Sequence, residues 1–145
     1  RALKQDLKTR DFVINSLYYD FEEKKVYDFC RAVEDIYRKR LEVFHPSAFK
    51  DDSRRLLRTF RFAGSLEFEL GGQAKKCVSS FLKDSPFDLR RSLRLPLKME
   101  MIKIISKEKC FLIFDLLSKF GFFESVFRKG RAAWYSNGQK RKRRS

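Results

Sequence analysis

Asp52 and Arg55 stand three residues apart in the stretch K-D-D-S-R-R-L-L-R-T-F-R-F-A at 50–63. On a helix that spacing, like the four residues from Asp51 to Arg55, puts a carboxylate and a guanidinium on one face. Two readings are open. One is an ordinary surface salt bridge at a helix start. The other is recognition of a nucleobase, because a carboxylate accepts from an exocyclic amine while a guanidinium donates to ring nitrogens and carbonyls. A pair carried on a helix is held more accurately than one carried on a loop.

A second polar set lies upstream, in K-T-R-D-F-V-I-N-S-L-Y-Y-D at 8–20. Arg10, Asp11 and Asn15 are set against an apolar run. They read either as the charged flanks of a buried strand or short helix, or as ligand groups. In the second case Arg10 holds a triphosphate and Asn15 positions a sugar or phosphate. A third set, Lys140, Arg141, Lys142, Arg143 and Arg144, is a basic run suited to RNA phosphates or to a solubilising or nuclear-import signal.

These groups need elements to position them. The 145-residue chain holds 43% hydrophobic residues, including 16 Phe, enough for a real core. Its formal net charge of +15 points to polyanionic partners. The charge is uneven: residues 1–70 carry 15 Lys/Arg against 13 Asp/Glu, and residues 71–145 carry 19 against 6. Polyanion affinity is therefore expected in the second half. Three scattered cysteines and a single histidine, His45, give no disulfide framework, no zinc pattern and little material for a His-based triad. No apolar run reaches membrane-spanning length and no signal peptide opens the sequence, so a cytoplasmic setting without membrane partners is expected.

Residues 12–19 suit a short helix or a buried strand, with 26–29 as a returning strand and 41–44 as another strand candidate. From Ser47 onward the pattern turns helical. Ser47, Asp51 or Asp52 can start a helix whose buried face is Leu56, Leu57, Phe60 and Ala63/Gly64. After Gly71-Gly72, helices are predicted over about 73–84 and 87–94. Pro96 marks a boundary, followed by a stripe of Met99, Ile102, Ile105 and Met101. A strongly apolar helix from Phe111 to Phe120 is closed by Gly121. Residues 47–127 thus read as about five helices with no strands, and 136–145 as a disordered basic tail.

Taken in order, the motifs resemble the class II tRNA nucleotidyltransferase and bacterial poly(A) polymerase family. R-D-F-V-I-N-S-L at 10–17 resembles its R-D-F-T-I-N-A/S-L motif. V-Y-D-F-C-R-A-V-E-D-I at 26–36 is similar to its D-x-x-G-G-x-x-D-L segment, with Arg31-Ala32 in place of the paired glycines. F-H-P-S-A-F-K-D-D-S-R-R-L-L-R-T-F-R-F-A at 44–63 resembles L-H-x-x-S-F-x-D-D-P-x-R-x-x-R-A-x-R-F-A, and S-L-E-F-E-L at 65–70 resembles R-L-G-F-x-I.

The resemblance implies a mainly α protein. About 1–45 would be the α+β edge of a nucleotidyltransferase head, 46–135 a helical neck and body that binds RNA, and 136–145 the tail. It implies that Asp52 and Arg55 contact the base, that Arg58 supports them, and that Arg10, Asp11 and Asn15 line the sugar and triphosphate side. The implied partners are tRNA or RNA 3′ ends and ATP or CTP, and the complete enzyme would use Mg²⁺. The family's metal-binding D-x-D occurs nowhere in this sequence. The expectation is therefore the C-terminal part of a longer template-independent RNA nucleotidyltransferase, inactive and without bound metal on its own. The alternative is a non-catalytic helical RNA-binding module derived from that family. A third reading is an unrelated basic helical interaction domain.

Overall fold

The computed structural model describes residues 6–7, 9–47, 49, 52–84 and 94–126. Its first part is built around a hairpin. β1 (Leu17–Asp20) and β2 (Lys25–Asp28) pair antiparallel, with Leu17 opposite Asp28 and Asp20 opposite Lys25. The Asp20 carboxylate closes the turn by accepting the backbone N–H groups of Glu22 and Glu23. This resolves the ambiguity of residues 12–19. Phe12 forms a bridge to Val43, Val13–Asn15 is one turn of 3-10 helix, and only then does the strand begin.

A short helix that the sequence pattern did not indicate, α1 (Ala32–Tyr37), follows the hairpin. Asp28 builds its start by accepting N–H bonds from Cys30, Ala32 and Val33. Burial pushes the Asp28 carboxyl up, but these backbone bonds outweigh it and leave the group below its usual value. Arg31, at the helix entry, takes the left-handed conformation at φ +61°. That explains why glycine suits this turn.

The strand expected over 41–44 is shorter, β3 (Arg40–Leu41), with Val43 only in the bridge to Phe12. β3 pairs in parallel with β4 (Glu69–Leu70). This corrects the strandless reading of 47–127: Glu69 donates its N–H to the Lys39 carbonyl, and Gly71 donates to that of Leu41. Two residues are too few for the period-two pattern by which a strand is recognised.

The central helix, α2 (Arg54–Leu66), buries Leu56, Leu57, Phe60, Ala63 and Gly64, as its spacing predicts. Gly64 is where α5 (Cys110–Lys119) crosses: a Cβ here would collide with the Ile113 side chain and lie 3.1 Å from its Cα. α3 (Gly72–Asp84) buries Ala74, Val78 and Leu82, one per turn. Glu42 caps it, accepting from the N–H of Gln73 (3.3 Å) and of Ala74 (2.6 Å), a carboxylate on the positive end of the helix dipole. α5 packs Ile113 and Leu117 into the same core, and Gly121 at φ +71° terminates it as expected. A further turn at 122–126 adds Phe122 and Val126.

α4 (Arg94–Ile105) is the main correction. Pro96 lies inside its first turn, where a missing N–H is tolerated, rather than at a boundary. Of the stripe expected to face the core, only Met101 packs against it. Met99, Ile102 and Ile105 are 53%, 54% and 62% exposed, while Glu100 and Ile104 are buried. Ile104 and Met101 pack inward, and Arg61 of α2 holds Glu100 on that same side of the helix at 2.8 Å. Residues 87–93 of the helix expected over 87–94, the residues 136–145 and the basic run from Lys140 to Arg144 lie outside the described residues.

Candidate nucleotide-binding cleft

Three stretches converge on one open cleft of about 640 Å³: residues 9–15, the start of α2, and one face of α4. Every one of Arg10, Asp11, Asn15, Asp52, Arg55 and Arg58 lines it. Sequence reasoning selected these six from two separate segments, and the fold brings them together.

Backbone pairing fixes the first wall. The Asp11 carbonyl accepts the N–H of Phe44, and the Val13 N–H donates to Glu42. The 3-10 turn after Phe12 then carries Asn15 back, so that its Nδ2 donates to Asp11 Oδ1 at 2.9 Å. The other oxygen, Asp11 Oδ2, lies 2.6 Å from an Arg58 guanidinium nitrogen. Arg58 is thus held by a nearly buried carboxylate on one side and the Phe62 ring on the other, at 5.8 Å. Its Nε is buried without a hydrogen-bond partner. Arg10 is held by Asp6, at 2.7 Å, and lies over the Tyr18 ring; the Tyr18 hydroxyl also donates to Asp6. The Tyr18 and Arg10 hydrogen bonds keep the Asp6 carboxyl below its usual range.

The second wall departs from the expected pairing. Asp52 binds Arg54, not Arg55: Arg54 Nε and Nη2 reach its two oxygens at 2.9 Å each, and the Arg54 N–H donates to it as well. Asp52 therefore caps α2 itself. The Arg54 side-chain bonds hold its carboxyl below the usual value, against the opposing effect of burial. Arg55 turns instead to the first wall, donating to the Thr9 carbonyl at 3.1 Å. Asp51, which could also face Arg55, lies outside the described residues.

The third wall was not anticipated. Met99, Glu100 and Lys103 of α4 complete the lining. Glu100, 5% exposed, accepts from Arg61 and from Lys103, each at 2.8 Å. Burial alone raises its carboxyl, but the bonds from Lys103 and Arg61 more than offset that and leave it lowered. Its one legible signal was being the single carboxylate in an otherwise apolar and basic segment. Arg61 also lies over Phe62, at 4.9 Å, so that Arg58 and Arg61 share one ring.

The cleft presents five cationic side chains and three carboxylates. It is suited to an anion with a polar, hydrogen-bonding edge. It does not suit a divalent metal, which needs several available oxygen ligands. Asp11, Asp52 and Glu100 are each engaged by arginine or lysine. Among the described residues, no three His, Cys, Asp or Glu side chains group into a metal site.

Comparison with known proteins bears on this geometry. Residues 1–42 match the family described as the Poly A polymerase head domain. The CCA-adding enzyme of Streptococcus pyogenes serotype M5 (strain Manfredo) is 34% identical over 119 residues, covering 81% of this chain and 25% of that enzyme. A solved structure of a tRNA-processing enzyme complex superposes with a TM-score of 0.79 at 28% identity, over 88% of this chain and 35% of that one. These likenesses support the nucleotidyltransferase family for this chain. A tRNA nucleotidyltransferase solved with a primer tRNA and an incoming ATP analog has a TM-score of 0.76 at 29% identity, over 86% of this chain and 36% of that one. The chain spans about a quarter of the length of the curated relatives it matches. No helix among its described residues is long and apolar enough to cross a membrane.

Proposed function

We propose that this chain supplies the nucleotide-selecting part of a template-independent RNA nucleotidyltransferase of the CCA-adding or poly(A) polymerase type. The observation that carries this reading is the convergence of Arg10, Asp11, Asn15, Asp52, Arg55 and Arg58 on one cleft. Arg10, Asp11 and Asn15 serve the sugar and triphosphate side. Arg55 and Asp52 read the base edge, and Arg58 is a supporting cation held in place by Asp11. The incoming nucleotide is ATP or CTP, and the acceptor is the 3′ end of a tRNA or another RNA. Mg²⁺ belongs to the complete enzyme, and its ligands are not among these cleft residues. The rest of the helical region and the run from Lys140 to Arg144 hold RNA phosphates.

The test is direct titration of ATP and CTP into the 145-residue chain, followed by nuclear magnetic resonance. Shifts should be confined to residues of the cleft, and Asn15→Ala with Arg55→Ala should abolish them. A chain that binds neither nucleotide overturns the reading. The RNA part is tested separately: deleting 140–145 should flatten the salt dependence of RNA affinity, by about 0.7 in log–log slope per lost phosphate contact on single strands. An unchanged slope removes the tail from the interface.

A further inference from the structure

The cleft residues named above account for the edge and the charge of a nucleotide but not for the face of its base. A nucleobase is a flat apolar surface with a polar rim, and a site that grips only the rim and the phosphates leaves that surface in water. Among the described residues lining the cleft, Met99 alone is apolar; the others are charged, amide or hydroxyl side chains.

Met99 is also held in a place that the core does not require. α4 turns about 100° per residue, so Met99, Lys103 and Glu100 fall on one arc, Glu100 and Ile104 on the next, and Ile102 and Ile105 on the solvent side. The buried arc includes Glu100, which Arg61 of α2 pins at 2.8 Å. With that arc inward, Met99 projects at the cleft, where it stays half exposed. The same ion pair ties α4 to the helix that carries Arg55 and begins just after Asp52. The apolar surface and the base-reading edge are therefore held in register. A thioether is polarisable, and it suits contact with an aromatic ring.

We infer that Met99 is a base-binding residue, the surface on which the base of the incoming nucleoside triphosphate rests, with Glu100 as the positioning residue that aims it. This rests on the reading of the cleft as a nucleotide site. The same chemistry could serve a base at an RNA 3′ end; the free nucleotide is favoured because Met99 shares one cleft with the triphosphate-side residues Arg10 and Asn15.

The experiment measures dissociation constants of the full 145-residue chain for ATP, GTP, CTP, UTP, inorganic tripolyphosphate and a short oligoadenylate. Wild type, Met99→Ala and Met99→Leu are compared, each checked for an unchanged melting transition. Met99→Ala should weaken all four nucleotides roughly two- to tenfold, the purines most because their faces are larger. It should leave tripolyphosphate and oligoadenylate unchanged, and Met99→Leu should recover most of the loss. Wild type that binds nucleotides with Met99→Ala binding them equally well overturns the inference and leaves the nucleotide reading standing. A Met99→Ala defect confined to oligoadenylate also overturns it. Wild type that binds no nucleotide overturns both.

Discussion

Arg58 of the central helix reaches the Asp11 carboxylate at 2.6 Å, joining the wall built from residues 9–15 to the wall built from α2. Asp11 is the more enclosed partner, its second oxygen already bonded to Asn15. Removing the cation leaves a nearly buried carboxylate short of a partner. Arg58→Ala should therefore cost about 1–3 kcal/mol of stability, read from the urea midpoint at constant slope. Arg58→Lys keeps a charge but loses the planar contact with Phe62, and it should recover only part of this. No stability loss in either variant would mean that the pair contributes nothing measurable.

How much of this site could be read in advance depended on the kind of signal. The arginine face of α2 and its core stripe repeat with helical period, so both were legible, and so was the returning strand after the Asp20 turn, while its partner at 12–19 stayed open between helix and strand. α4 was not, because its inward side carries, beside Ile104 and Met101, a carboxylate held by a residue on another helix. Hydrophobic spacing put Met99, Ile102 and Ile105 inward, where Glu100 and Ile104 lie instead. Arg54 was missed for a related reason. The i to i+3 rule favoured Arg55 as the partner of Asp52, but Asp52 precedes the first helical residue and there reaches Arg54 instead.

The pH dependence follows from carboxylates whose values are lowered on folding. Glu100 lies below its ordinary 4.5 and Asp52 below 3.8, so each binds its proton less readily in the folded chain. A depressed carboxylate contributes stability that is present above its unfolded value and is lost as pH falls through its folded value. Stability should hold above about pH 5 and decline below about pH 4.5. Glu100→Gln removes one of these groups, and thermal melts from pH 7 to pH 3 should show a shallower acid decline than wild type. An identical acid slope would show that Glu100 is not coupled to folding.

The α2–α5 crossing offers a test of packing away from the cleft. Gly64 admits the Ile113 backbone, and an added methyl would have to displace it. Gly64→Ala should destabilise by about 1–3 kcal/mol despite alanine's better helix propensity. Arg31→Gly should act in the opposite direction, because the left-handed φ of +61° costs an ordinary residue about 1–2 kcal/mol. Glycine returns part of that gain as unfolded-state entropy, leaving a net stabilisation of about 0.5–1 kcal/mol. Chemical denaturation of both variants checks the pair. A stabilised Gly64→Ala would show that the helices can part without loss.

The last prediction separates Arg55 from Arg54 as the base reader. They are neighbours in sequence, but Arg54 spends its donors on Asp52 while Arg55 bonds across the cleft to the Thr9 carbonyl. If Arg55 reads the base, Arg55→Ala in the complete enzyme should fold normally and lose about 1–3 kcal/mol of discrimination among ATP, CTP, GTP and UTP. Arg54→Ala has a different signature. It releases Asp52 from its guanidinium, so the carboxylate accepts more freely from an exocyclic amine. Selection should then shift toward the amine-bearing bases, adenine, cytosine and guanine, and away from uracil, while Asp52 loses part of its hold on the start of α2. The measurement is relative incorporation of the four nucleotides by each variant, alongside its melting temperature. Equal preference in wild type and Arg55→Ala would retire Arg55 as the reader. A shift in Arg54→Ala alone would move the role to the Asp52–Arg54 pair.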